Sequence, residues 1–167
     1  MKVVIRIVLI VLMPLSIPAG STAEFAEGAC PVTPKSDVVS AIAPAAGTYP
    51  VWVVDGSHGR WPGPDEPVKT AWILARDNPG DLTVEARKLK SDERAKFRMT
   101  GSTGLVDRLV ITNADHPGMI PGDAQSDTLR TYSFRSSAVV YPSAGCWKFL
   151  VTYGEHRSTI VLGLAES

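Results

Sequence analysis

The sequence predicts an all-β protein, an antiparallel immunoglobulin-like β-sandwich of seven to nine strands. Three observations carry that expectation. Short runs alternate apolar and polar side chains with the period of two that a half-buried strand requires. Turn signals rich in Gly, Pro, Asn and Asp recur roughly every ten residues, and no helix-length amphipathic run occurs. A small closed barrel fits the same alternation, which does not say whether the sheet closes.

Taken in order, the chain opens on an export signal. Lys2 and Arg6 stand at the front, an apolar run from Ile5 to Ile17 is broken only by Arg6, Pro14 and Ser16, and Ser21 and Ala23 are small. That three-part plan predicts a secretory signal peptide over 1–23, cleaved after Ala23. An uncleaved anchor needs about 20 apolar residues, and Pro14 and Pro18 shorten this run. The protein is therefore expected to be secreted or extracytoplasmic, in periplasm or cell envelope, with no membrane span after cleavage. Gly28 and Ala29 also suit a lipid-modified Cys30, although Glu27 occupies a position where that signal wants an aliphatic residue.

Cleavage removes two basic residues and no acidic one, leaving 15 basic and 17 acidic side chains. A net charge near −2 argues against a sequence-independent binder of nucleic acid or anionic membrane, which needs a basic surplus. Two cysteines remain, Cys30 and Cys146, and in an exported chain they most simply pair. The bridge would tie an N-terminal segment, 24–48, to the sandwich domain, 49–167. Metal binding by these thiols lacks a second pair of ligands at suitable spacing.

The strands follow. Tyr49–Val54 is β-branched and aromatic. Residues 56–67, GSHGRWPGPDEP, form a long irregular loop around Trp61. Thr70–Ala75 is apolar on both faces, as in a strand covered on two sides: Trp72 and Leu74 on one, Ala71, Ile73 and Ala75 on the other. Asp77-Asn78-Pro79-Gly80 turns the chain. Leu82, Val84 and Ala86 alternate with polar residues, as do Ala95, Phe97 and Met99. Gly101–Gly104 is a turn into the strand expected at 105–112, a polar loop runs from Asn113 to Thr128, and Tyr132–Val140 leads on.

The last hairpin carries the clearest pattern. Trp147, Phe149, Val151 and Tyr153 face inward, a turn spans Gly154–Arg157, and Ile160, Leu162 and Leu164 form a second inward row. Because neighbours in a strand point to opposite faces, an inward Trp147 puts Cys146 outside the core. The expected bridge is a peripheral strap, unlike the buried inter-sheet disulfide of antibody domains.

The ending Pro142-Ser143-Ala144-Gly145-Cys146-Trp147 followed by two strands resembles that of a family of exported bacterial proteins of undefined function. Lys69, Trp72, Gly80, Leu82, Arg87 and Leu89 fall in an order similar to that family's middle section, and Cys30-Pro31 to its mature start. The resemblance implies the fold and the disulfide, and brings no activity to any residue. Gly145 and Trp147 also resemble the corner before the penultimate strand of immunoglobulin folds. Trp147 would stand where a tyrosine often sits, without the hydroxyl hydrogen bond.

Chemistry is sparse. There is no nucleophile elbow, zinc-protease helix or phosphate-cradling loop, so no catalytic residue and no cofactor is assigned, and the expectation leans away from an enzyme. His58, His116 and His156 are scattered over loops and lack ligand spacing; Asn113, Asp115, Asp123 and Asp127 match no calcium loop, so no metal is assigned. The candidates left for binding are Trp61, Trp52 and His58, with Trp61 also readable as a lid folded over the core. The leading expectation is a non-enzymatic module that binds a protein or glycan through loops. The alternative is an exported hydrolase with a site built from loops 56–67 and 113–128. Oligomeric state is not legible.

Overall fold

The computed structural model describes residues 30–40, 43–114 and 131–166. The expected signal peptide, His116, Asp115, Asp123 and Asp127 lie outside them. Nine strands are present: β1 (Ala46–Thr48), β2 (Val51–Asp55), β3 (Pro67–Ala75), β4 (Leu82–Lys88), β5 (Lys96–Met99), β6 (Leu109–Ile111), β7 (Tyr132–Val140), β8 (Gly145–Tyr153) and β9 (His156–Leu164). They form a five-stranded sheet, β1-β2-β3-β7-β5, and a four-stranded sheet, β6-β4-β8-β9, with every pairing antiparallel. This is the two-layer arrangement of an immunoglobulin-like sandwich. It departs from that plan in one respect, since β5 joins the first sheet before β6 joins the second.

The strand expected over 105–112 shrinks to β6. Val106 exchanges both backbone hydrogen bonds with Phe97 of β5, at 2.8 and 2.9 Å. Three residues later the chain pairs with β4 in the other sheet, so it must bend between the two and leaves Leu105 and Val106 exposed. The final turn is tighter than expected, because Tyr153 already pairs with His156 and only Gly154 and Glu155 lie between them. Gly154 takes a φ of 56°, which glycine adopts without steric cost.

The core lies between the sheets. Trp72 on β3 packs edge-on against Phe149 on β8, ring centroids 6.1 Å apart, and Phe97 and Tyr141 reach the same ring at 6.5 and 6.4 Å. Trp147, Phe149, Val151 and Tyr153 are all buried, as their alternation predicts. A second apolar cluster sits on the outer face of the five-stranded sheet: Trp52, Ile73 and Ala75, with Tyr132 and Phe134 beside them, beneath Val39 and Ala45. That is why β3 reads as covered on both sides.

The N-terminal segment is part of the sandwich. It supplies β1, and Thr33 hydrogen-bonds Val161 twice, through its amide at 2.9 Å and its hydroxyl at 2.7 Å. Ser36 reaches Ala45 and Lys35 bridges Ala46, so the segment runs from the edge of β9 to the edge of β1. Cys30 and Cys146 are bonded, Cα atoms 5.5 Å apart, and Cys146 lies on the outer side of β8. A cysteine so bonded has no sulfur for a lipid thioether, which corrects the lipidation alternative. Closing a loop of 116 residues restricts the unfolded chain by about 4–5 kcal/mol in the entropic model.

Inside the core the indole N–H of Trp72 donates to the hydroxyl of Ser137 at 3.0 Å, and both groups are buried. Removing either partner strands the other. Trp72→Phe and Ser137→Ala are each expected to cost about 1–3 kcal/mol, whereas the double variant costs clearly less than their sum. Denaturant melts of the four proteins check this cycle.

Candidate functional site

The outer face of the five-stranded sheet divides into two halves. One is the apolar cluster just described, under Val39 and Ala45. The other is polar and uncovered by described residues. Register decides its composition: Lys69 on β3, Ala138 on β7 and Arg98 on β5 stand in one row across the three strands. Their inward neighbours Val68, Val139 and Phe97 are core, so alternation turns all three outward.

This row floors a depression of about 440 Å³, bordered by Ser136 and the Thr100–Ser102 turn and, at the other side, by Pro67. Thr100 and Ser136 hydroxyls lie 2.7 Å apart, and the Thr100 hydroxyl also donates to the Ser136 carbonyl at 3.1 Å. Among the described residues neither the Lys69 nor the Arg98 side chain has a carboxylate partner, whereas neighbouring Lys96 is paired with Asp107. Two uncompensated cations beside hydroxyls and a small residue can accept an anionic or strongly polar group.

A second polar cluster braces the corner before β8. Lys88 donates to Ser143 at 2.7 Å and to Glu93 at 3.2 Å, and the Ser143 hydroxyl donates to the other Glu93 oxygen at 2.5 Å. The hydroxyl is thus held between an ammonium and a carboxylate that neutralise each other. Lys88 also fills the space where a side chain at residue 145 would go: a Cβ on Gly145 would meet Lys88 Cε at 2.8 Å. The corner's missing hydroxyl bond is supplied differently, by the Trp147 indole N–H donating to the Ser143 carbonyl at 3.2 Å. Sequence reasoning overlooked that donor.

The predicted site residues are dispersed. Trp52 is 1% exposed, packed with Val39 and Ala45, which corrects its candidacy as a surface contact. Trp61 is half-buried against the main core and donates its indole N–H to the Tyr141 carbonyl at 2.9 Å. His58 is exposed in the same loop. Among the described residues no cluster of three or more His, Cys, Asp or Glu could hold a metal.

Of the cleft expected between loops 56–67 and 113–128, residues 115–128 lie outside the described residues. Residues 56–66 are anchored beside Pro67, where β3 starts. The stretch after β6 is anchored beside Gly80, just past the other end of β3, through the Ala114 amide at 2.9 Å. Inward-facing Arg135 and Ser133 hold it there by donating to the Asn113 and Ala114 carbonyls. A nine-residue strand separates these anchors, about 30 Å.

No protein-family model and no curated protein sequence matches the chain. Among solved structures it is similar to a crystal structure described as that of "a Putative Lipoprotein from Bacillus anthracis". The two are 14% identical, with 83% of this chain and 88% of that chain covered and a TM-score of 0.53. At that identity the likeness is one of fold alone.

The corner brace makes stability depend on pH. Ser143's hydrogen bond, then the Lys88 contact, hold the Glu93 carboxyl below its ordinary 4.5. A carboxyl lowered on folding stabilises the fold above its unfolded value, and that contribution fades as pH falls through the folded one. The stability gap between wild type and Glu93→Gln should therefore be constant from neutrality to about pH 5 and shrink below the ordinary carboxylate range. Urea melts across that pH range test it.

Proposed function

We propose that this chain is an exported recognition module, acting by binding a protein or glycan of the cell envelope or its surroundings rather than by catalysis. The observation that carries the reading is the open polar half of the sheet face, where Lys69 and Arg98 flank Ala138. Sandwiches commonly carry function on surfaces held rigid by the core beneath, and here the floor is three strands over Val68, Val139 and Phe97. The border of the depression comes from Pro67, where β3 starts after the 56–66 loop, and from the turn after β5.

Export is supported by the signal-like start of the sequence and by a disulfide that needs an oxidising compartment. The resemblance of the Pro142–Trp147 ending to exported bacterial proteins agrees with it. So does the lipoprotein description of the structural neighbour, which belongs to that protein.

Filling the depression tests the reading. Ala138→Trp points a large ring outward from a β7 position between two long cations and leaves the core side untouched. Wild type is expected to co-sediment with isolated bacterial cell envelopes, and the variant to lose at least tenfold of that binding with its melting temperature unchanged. No bound wild type, or equal bound fractions, would overturn the proposal.

A further inference from the structure

We infer that the depression on the outer face of β3, β7 and β5 is a subsite for an acidic sugar, gripping its carboxylate or phosphate between Lys69 and Arg98. The inference rests on the binding reading above and specifies its ligand.

Charge comes first. Neighbouring strands lie about 4.8 Å apart, so Lys69 and Arg98, each directly opposite Ala138, have Cα atoms roughly 10 Å from one another. Both side chains are long enough to converge on one small anion above the methyl of Ala138. Like charges at this spacing repel, and neither is relieved by a described carboxylate. Asp107 is engaged by Lys96 and Glu93 by Lys88, and Asp65 and Glu66, the acids nearest to Lys69 along the chain, do not line the depression. A bound oxyanion would be the missing partner: the guanidinium presents two parallel donors to it and the ammonium a point charge.

The rest of the lining selects the kind of molecule that carries the anion. Ser136, Thr100 and Ser102 offer hydroxyls, which both donate and accept. Pro67 and Met99 add apolar surface at the margin, and Met99 is exposed. A pyranose with an acid group has those three faces: an anion, hydroxyls and a patch of ring C–H. A nucleic acid or other long polyanion fits poorly, since the chain has no basic surplus to follow it.

The test is titration of the protein, by calorimetry, with four probes of equal length or charge: an oligouronate, a phosphorylated oligosaccharide, a neutral oligosaccharide and a glutamate-rich peptide. Binding of the uronate or the sugar phosphate, at least tenfold tighter than the neutral sugar and the peptide and weakening with salt, is the expected result. Arg98→Met and Lys69→Met should each weaken it tenfold or more. Arg98→Lys should weaken it severalfold, because the fork is lost and the charge kept. Equal binding of the neutral sugar, preference for the peptide, no binding of either acidic sugar, or indifference to both methionine variants would overturn the inference. If Ala138→Trp still abolishes envelope binding in that event, recognition at this face stands and only the acidic-sugar assignment falls.

Discussion

The structure depends on one ring. Phe149 of the four-stranded sheet receives Trp72 and Phe97 from the five-stranded sheet and Tyr141 from the chain just before the corner, all in edge-on geometry. Aromatic contacts of this kind add about 0.5–1.5 kcal/mol each beyond the area they bury. Their larger effect is positional, since three rings meeting a fourth fix how the sheets slide and turn over each other. The register of β8 on β4 and β9 follows, and with it the outward placement of Cys146.

Fixing the layers leaves the edges to be managed, because an unpaired strand edge invites pairing with another chain. On one side β5 and the run into β6 bridge the two sheets through Phe97 and Val106. On the other, the 30–36 segment lies along β9 and reaches β1. These bridges bring the sandwich close to a barrel without merging its sheets. Val39 and Ala45 then pack over Trp52 and Ile73, and beyond them the sheet face is uncovered by described residues.

Much of this was legible in alternation. Trp72, Trp147, Phe149 and Tyr153 sit inside as their spacing demands, and the apolar outward residues of β3 correctly implied a second covering layer. The peripheral position of Cys146 followed from its neighbour alone. Arg98 was visible only as one of the polar residues alternating with Ala95, Phe97 and Met99, and Lys69 only through the resemblance. That they share a row depends on β7 lying between β3 and β5, a non-local pairing that no local period encodes. Trp52 escaped for a related reason: what buries it is a Pro-, Ala- and Ser-rich stretch with no period to announce a lid. The hydrogen bond of the corner was missed because a tyrosine hydroxyl was sought where an indole N–H serves.

The cysteine bridge joins positions 30 and 146, so it encloses nearly the whole fold. A chain made from its N-terminus exposes the first thiol long before the second exists. No truncated product lacking β8 can be sealed, and its opening segment has no β9 to lie against. Only a chain that includes β8 can therefore form this covalent closure.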